Sequence, residues 1–261
     1  MSNQELKESI PLKVDVVIPV LNEAHVLETS VDTVRSFLSK YLEHAWHVVI
    51  VDNGSTDGTE KVGEKLSGQF RDVEFIHLPQ KGRGLALRSA WLKSTADIVC
   101  YTDVDLSTDL RFLPPLISAI ANERFDIAIG SRMMKGSYTK RSFKREIISR
   151  IYNVFVKMIL LTHFSDAQCG FKAVSREVVE RIVPQIKDQS WFFDTELLVL
   201  AEKQGYKIKD IAVVWIEDDD SRVKIIRTAW DDIKGVLRLR RQLWKGSFVE
   251  TPVREVKREK T

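Results

Sequence analysis

Only two cysteines occur in the 261 residues, Cys100 in an apolar run and Cys169 in a polar one. They form neither a disulfide framework nor a metal-ligand spacing, and a reducing compartment fits that usage. Long apolar runs are missing too: none reaches the roughly 18 to 20 residues of a membrane-spanning helix. The opening Met1-Ser2-Asn3-Gln4-Glu5 has no apolar core of a secretion signal. The expectation is a cytoplasmic chain, soluble or peripheral on the cytoplasmic face of a membrane. Neither a P-loop nor a full dinucleotide fingerprint is present, which disfavours an ATPase and a nicotinamide enzyme. No aromatic-interleaved basic strand or recognition-helix signature occurs, so nucleic acid is not the expected partner. No internal repeat or low-complexity linker interrupts the chain.

Net charge is also scarce, at +3, but it conceals an asymmetry. Carboxylates gather near predicted strand ends, while Lys and Arg gather in 132–150 and 222–245. Acidic loops beside basic helices suit phosphorylated substrates. With 44% hydrophobic residues the chain can bury one large α/β core. A single domain over 14–245 is expected, after a flexible stretch 1–13 and before a charged tail 246–261.

The hydrophobic periodicity alternates. Apolar runs predict strands over 14–20, 46–51, 73–78, 98–101 and 125–130, and helical spacing predicts helices over 23–40, 57–66 and 84–93. Such alternation implies βαβ units and a mostly parallel sheet. Pro114 and Pro115 sit where a helix can begin. Beyond 130 the rhythm changes: helices are expected over 140–161, 176–183, 191–203 and 223–244, with one strand over 207–216.

Four clusters fall at the predicted strand ends, where open α/β sheets bind ligands. In Tyr101-Thr102-Asp103-Val104-Asp105 the carboxylates two apart can converge on one hard cation, Mg²⁺ or Mn²⁺, shared with substrate phosphates. A solvated acidic loop is the plain alternative. In Ile18-Pro19-Val20-Leu21-Asn22-Glu23, Pro19 stiffens the exit and Glu23 either accepts hydrogen bonds from a nucleobase or complements a helix N-terminus. In Val51-Asp52-Asn53-Gly54-Ser55-Thr56-Asp57-Gly58-Thr59, Thr56 or Asp57 can cap a helix, which leaves Asp52 for base recognition. In Gln80-Lys81-Gly82-Arg83-Gly84, two glycines allow close backbone approach and two cations can meet phosphate.

These four motifs, in this order, resemble the family-2 glycosyltransferases of the GT-A fold over about residues 14–245. The resemblance implies that Pro19, Glu23 and Asp52 lie at the nucleoside, and Lys81, Gly82 and Gly84 at the diphosphate. It puts the metal on Asp103 and Asp105. The second motif departs from the usual Asp-Asp pair, having Asp52-Asn53. Further motifs, Gly130-Ser131-Arg132, Asp166-Ala167-Gln168-Cys169-Gly170-Phe171-Lys172, Trp191-Phe192-Phe193-Asp194-Thr195-Glu196 and Trp215 followed by Ser221-Arg222-Val223, resemble the polyprenyl-phosphate hexosyltransferases. Among these the pattern is nearest the dolichyl-phosphate glucosyltransferase branch.

That likeness implies inverting, metal-dependent transfer of a hexose from UDP-glucose or GDP-mannose to a polyprenyl or dolichyl phosphate, with Arg222 near the acceptor. The residues agree, because Arg132 ends a strand while Arg145 and Ser149, four apart, share a helical face and can fork onto a phosphate. A solvated basic helix end is the plain reading of the same cations. Asp194 and Glu196 are candidates for sugar hydroxyls, for a catalytic base, or merely for helix N-terminal charge. The apolar face behind the basic residues of 140–161, repeated in 237–248, suits either a membrane headgroup region or ordinary core. Two other functions remain in view: a hydroxyl acceptor on the same fold, and a membrane-associated binding protein without catalysis.

Overall fold

The structure is a computed structural model that describes residues 12–217 and 225–245. Residues 1–11, the tail from 246, and the Ser221-Arg222-Val223 motif with its acceptor candidate Arg222 lie outside the described residues.

The first half alternates as its periodicity predicts: β1 (Lys13–Val20), α1 (Leu27–Tyr41), β2 (Ala45–Asn53), α2 (Thr59–Gln69), β3 (Val73–Leu78), α3 (Arg83–Lys93) and β4 (Ile98–Thr102). Then follow α4 (Leu113–Ala121), with prolines in its first turn, β5 (Ile127–Ser131), β6 (Tyr138–Lys140) and α5 (Phe143–Leu160). The remainder is β7 (Phe171–Ser175), α6 (Arg176–Arg181), α7 (Phe193–Lys203), β8 (Ile208–Ala212), β9 (Val214–Ile216) and α8 (Ile225–Trp244).

Seven strands form one sheet in the order β3-β2-β1-β4-β7-β5-β8. Strands β3, β2, β1 and β4 are mutually parallel, and β7 runs antiparallel between β4 and β5. Two reversals leave β5 parallel to β4, so the ends of β1, β2, β4 and β5 share one edge. The chain order reverses between β1 and β4, the crevice where such sheets hold ligands.

Both faces of the sheet are covered, which is why its strands read as continuous apolar runs. Val16, Ile18 and Ile50 face α1 through Leu27, Val31 and Leu38. Alternate residues Val17, Val49, Val51 and Tyr101 face Leu87 and Trp91 of α3 and the apolar residues of α7.

Three expectations need correcting. Strand β7 falls between the helices expected over 140–161 and 176–183, where no strand is expected, because a five-residue strand carrying a buried lysine has little periodicity of its own. The strand expected over 207–216 divides at Val213: β8 joins the main sheet and β9 pairs with β6 in a second small sheet. Helix α7, expected over 191–203, begins at Phe193 and is buried on all sides to Ala201, which places Asp194 and Glu196 in the interior.

Candidate active site

Strand β4 delivers Asp103 and Asp105 to the shared edge, and Leu106 turns the chain with φ of 50°. The loop is fastened downstream. Ser107 N–H donates to Asp105 Oδ1 (3.0 Å), Ile216 N–H to the Ser107 carbonyl (2.9 Å), and Thr108 bridges to Trp215. Asp103 is 38% exposed and Asp105 is exposed. Gly170 borders them: a Cβ there would stand 1.9 Å from Asp103 Oδ2. That glycine leaves room for the carboxylate.

Two carboxylates with exposed surface, two residues apart, fit a hard divalent cation completed by water and substrate phosphate oxygens. Among the described residues no group of three Asp, Glu, His or Cys side chains could hold such an ion alone.

Arg83 stands behind the acidic pair. Its guanidinium, only 10% exposed, donates to Asp103 Oδ1 (2.5 Å) and to Asp194 Oδ2 (2.8 Å), and lies between the rings of Tyr101 and Trp191. Asp194, 2% exposed, also takes the Tyr101 hydroxyl and lies 2.9 Å from Lys172 Nζ. Burial works to lower the Arg83 pKa, yet Asp103, Tyr101 and Asp194 hold it well above its ordinary value. Burial and the Asp194 charge push Tyr101 far up, so it remains a phenol that donates. Glu196 is likewise engaged, by Arg238 Nη2 (2.7 Å) and the Asp188 amide (2.9 Å).

The glycines of the Lys81–Gly84 loop serve packing. A Cβ at Gly84 would meet Phe193 Cβ at 2.6 Å, and one at Gly82 would meet the Gln189 carbonyl at 2.5 Å. Their amides donate to the Ser190 carbonyl and to Asn53 Oδ1, not outward to a ligand, so the loop's exposed cation is Lys81.

At the neighbouring strand ends, Pro19 is buried opposite Val51. Helix α1 begins at Leu27 without a side-chain cap from Val26; the Glu23 carbonyl accepts the Leu27 amide (3.0 Å), and the Glu23 amide donates to Thr59 Oγ1 (2.9 Å). Asp57 accepts the Thr59 amide at the start of α2 (2.8 Å). Asp52 is fully enclosed, taking the Ser55 amide on Oδ1 (3.1 Å) and His77 Nδ1 on Oδ2 (2.9 Å). Asn53 explains the departure from Asp-Asp. It donates to the Val20 carbonyl (2.8 Å) and accepts from Gly82 N–H (3.3 Å), and a carboxylate can only accept.

On the other side, Arg132 follows β5 and forks onto buried Asp166 through Nε (2.8 Å) and Nη2 (3.0 Å). Burial would raise the Asp166 pKa, but Arg132 beside it holds the carboxyl down at about 2. Arg132 and Arg141 both lie over the Trp215 ring, at 5.5 and 5.9 Å. Burial and the neighbouring Arg132 charge lower the Arg141 pKa. Arg145 is drawn to Glu217, and Ser149 Oγ is buried without a hydrogen-bond partner among the described residues. Arg141 was legible only as one of several cations at a helix end; its place beside Arg132 depends on β9.

A cleft of about 670 Å³ between Trp191 and α8 is lined by Asp188, Asp231 and Asp232 among others. Asp232 accepts from Gln168 Nε2 (2.6 Å), and burial pushes its carboxyl up to about 7. The folded chain therefore holds a proton that the unfolded chain, at about 3.8, gives up sooner. Stability is lost as pH rises between those values and stays lost above the upper one. Asp232→Asn keeps the shape and removes the charge. Its melting temperature should exceed the parent's by an amount that grows from pH 4 to 7 and is then flat, at about 2–4 °C for each kcal/mol. Parallel melting curves of the two proteins across that range would refute the assignment.

Comparison with known proteins follows the same lines. The glycosyl transferase family 2 profile matches residues 15–183. The chain is 35% identical over 221 residues to glycosyltransferase AglD of Haloferax volcanii, covering 83% of this chain but 35% of that protein. It is 30% identical over 238 residues to the dolichyl-phosphate beta-glucosyltransferase of Dictyostelium discoideum, covering 86% of this chain and 73% of that one. Among solved structures it superposes on glucosyl-3-phosphoglycerate synthase of Mycobacterium tuberculosis, in complex with Mn²⁺, UDP and phosphoglyceric acid. The TM-score is 0.68 at 17% identity, over 88% of this chain and 78% of that one.

Proposed function

The chain belongs to glycosyl transferase family 2 and is a glycosyltransferase of the GT-A fold, and from that premise we propose that it transfers a hexose from a nucleoside-diphosphate sugar to the phosphate of a polyprenol such as dolichol. One observation carries the acceptor reading: the acidic pair and the Arg132–Arg141 cluster are tied together through the Thr108–Trp215 bridge on one sheet edge. That arrangement supports a reading with a diphosphate site and a second anion site side by side. The name of the Dictyostelium relative points to the same chemistry.

In this reading Lys81 meets the diphosphate, and Asp103 and Asp105 hold Mg²⁺ or Mn²⁺. A divalent cation held by these two carboxylates would supply positive charge against the charge that grows on the departing nucleoside diphosphate. A phosphate oxygen of the acceptor attacks the anomeric carbon from the opposite face. One C–O bond forms to the lipid phosphate, one breaks to the diphosphate, and configuration inverts. The phosphate is already anionic, so no carboxylate has to remove a proton. Asp194 and Glu196, both held in buried ion pairs, suit that economy.

The lipid tail has a surface to follow. Phe143, Ile151, Val154 and Met158 are exposed along α5, and Leu237 and Trp244 along α8, beside exposed Lys144, Arg150, Arg240 and Arg241. An apolar stripe flanked by cations suits the headgroup region of an anionic bilayer. No helix among the described residues is long and apolar enough to cross a membrane.

The test incubates the protein with polyprenyl phosphate and labelled UDP-glucose or GDP-mannose and follows label into the organic phase. Ser149→Ala should leave the melting temperature unchanged, since Oγ has no partner to lose. It should raise the Michaelis constant for polyprenyl phosphate about tenfold or more, the worth of a hydrogen bond to a charged group. The constant for the nucleotide sugar should stay as it is. Label that remains in the aqueous phase, with the donor consumed, would favour the hydroxyl-acceptor alternative.

A further inference from the structure

We propose that His77 reads the nucleobase of the donor, and that its tautomer, set by Asp52, selects bases that present a ring N–H. The inference rests on the nucleotide-sugar reading above and goes beyond it by naming the side chain that reads the base. Asp52 sits at the end of β2 but has no exposed surface, and its two oxygens are engaged by the Ser55 amide and by His77 Nδ1. A base at this edge therefore meets His77 before it meets Asp52.

His77 stands opposite Asp52 in the β2–β3 register, two residues before Pro79 and four before Lys81. Its side chain is 36% exposed, and Nε2 makes no hydrogen bond among the described residues. Gly54, in the turn that follows Asp52, would place a Cβ 3.3 Å from the Pro79 carbonyl and 3.5 Å from Lys81 Cγ. The strand end that carries His77 thus leads into the loop assigned to the diphosphate.

An ionised carboxylate only accepts hydrogen bonds, so the nitrogen facing Asp52 must carry its proton. In the neutral ring Nε2 is then a lone pair, the arrangement by which a carboxylate fixes a histidine tautomer. Glu60, whose Oε1 is 3.7 Å from the same Nδ1, acts in the same sense. That lone pair, unengaged among the described residues, can accept from the N3–H of uracil or the N1–H of guanine. It repels N3 of cytosine and N1 of adenine, which carry lone pairs of their own. The shared chemistry is a ring N–H flanked by a carbonyl.

Calorimetric titration of UDP, GDP, CDP and ADP into the parent protein, His77→Gln and Asp52→Asn tests this. The parent should bind UDP or GDP about tenfold more tightly than CDP or ADP, and the stronger of the first two identifies the base. His77→Gln presents a donor and an acceptor, so it should bring UDP and CDP to within about twofold while leaving the melting temperature near the parent's. Asp52→Asn can donate to or accept from Nδ1. Freed of one tautomer, that variant should narrow the same ratio. A UDP to CDP ratio unchanged in His77→Gln, with tight UDP binding, overturns the role of His77 alone. Failure of the parent to bind any of the four overturns the nucleotide-sugar reading and this inference with it.

Discussion

Replacing Asp103 or Asp105 with Asn is expected to lower hexose transfer by about a hundredfold to a thousandfold, the loss seen when one fixed electrostatic partner of a developing charge is removed. The fold should survive in both. Asp105 is exposed, Asp103 is more than a third exposed, and changes at such positions cost little stability. The two variants should differ in one respect. Asp103 also balances Arg83, so Asp103→Asn leaves a buried cation with less compensation and should melt lower than Asp105→Asn. Mn²⁺ titration followed by transfer assays checks the assignment. Full activity in EDTA, or Mn²⁺ affinity equal to the parent's in both variants, would remove the metal from this loop.

The second large effect is one of stability. Asp194→Ala withdraws the carboxylate shared by Arg83, Lys172 and Tyr101, leaving two buried cations. Breaking a buried pair in this way typically costs about 3–5 kcal/mol. Denaturant unfolding should show that loss, and transfer should fall with it because Arg83 no longer has a fixed place behind Asp103. Under the hydroxyl-acceptor alternative Asp194 would be a base. That alternative requires a stable protein that binds both substrates and does not turn over. Asp194→Asn, closer in shape, separates the two: a folded but inactive protein with unchanged melting and substrate binding would favour the base.

Much of the fold was legible because its signals are local. The runs 14–20, 46–51, 73–78 and 98–101 are apolar because both sheet faces are covered, and the helices between them repeat at helical spacing. The positions of Glu23, Asp52, Lys81 and Asp103 at one edge follow from parallel strands, whose ends must align. What escaped were interactions between residues distant in sequence. Arg83 and Asp194 are 111 residues apart, and nothing near either one announces the other. The sequence left Asp194 and Glu196 open between sugar contacts, a base and helix N-terminal charge; they lie in the first turn of α7, and that this turn is buried was not visible in the sequence.

By itself the sequence determined the βα alternation, the edge on which the motifs gather and the family, since hydrophobic period and motif order are properties of neighbouring residues. Only the tertiary structure decided which charges are at work and which are structural. It enclosed Asp52 behind His77, turned Asn53 into a link between Val20 and Gly82, set Arg141 beside Arg132 over Trp215, and buried Asp194 under Arg83. The reason is physical: a carboxylate's role depends on whether water or a buried cation is its partner, and that is settled only when distant strands and helices pack.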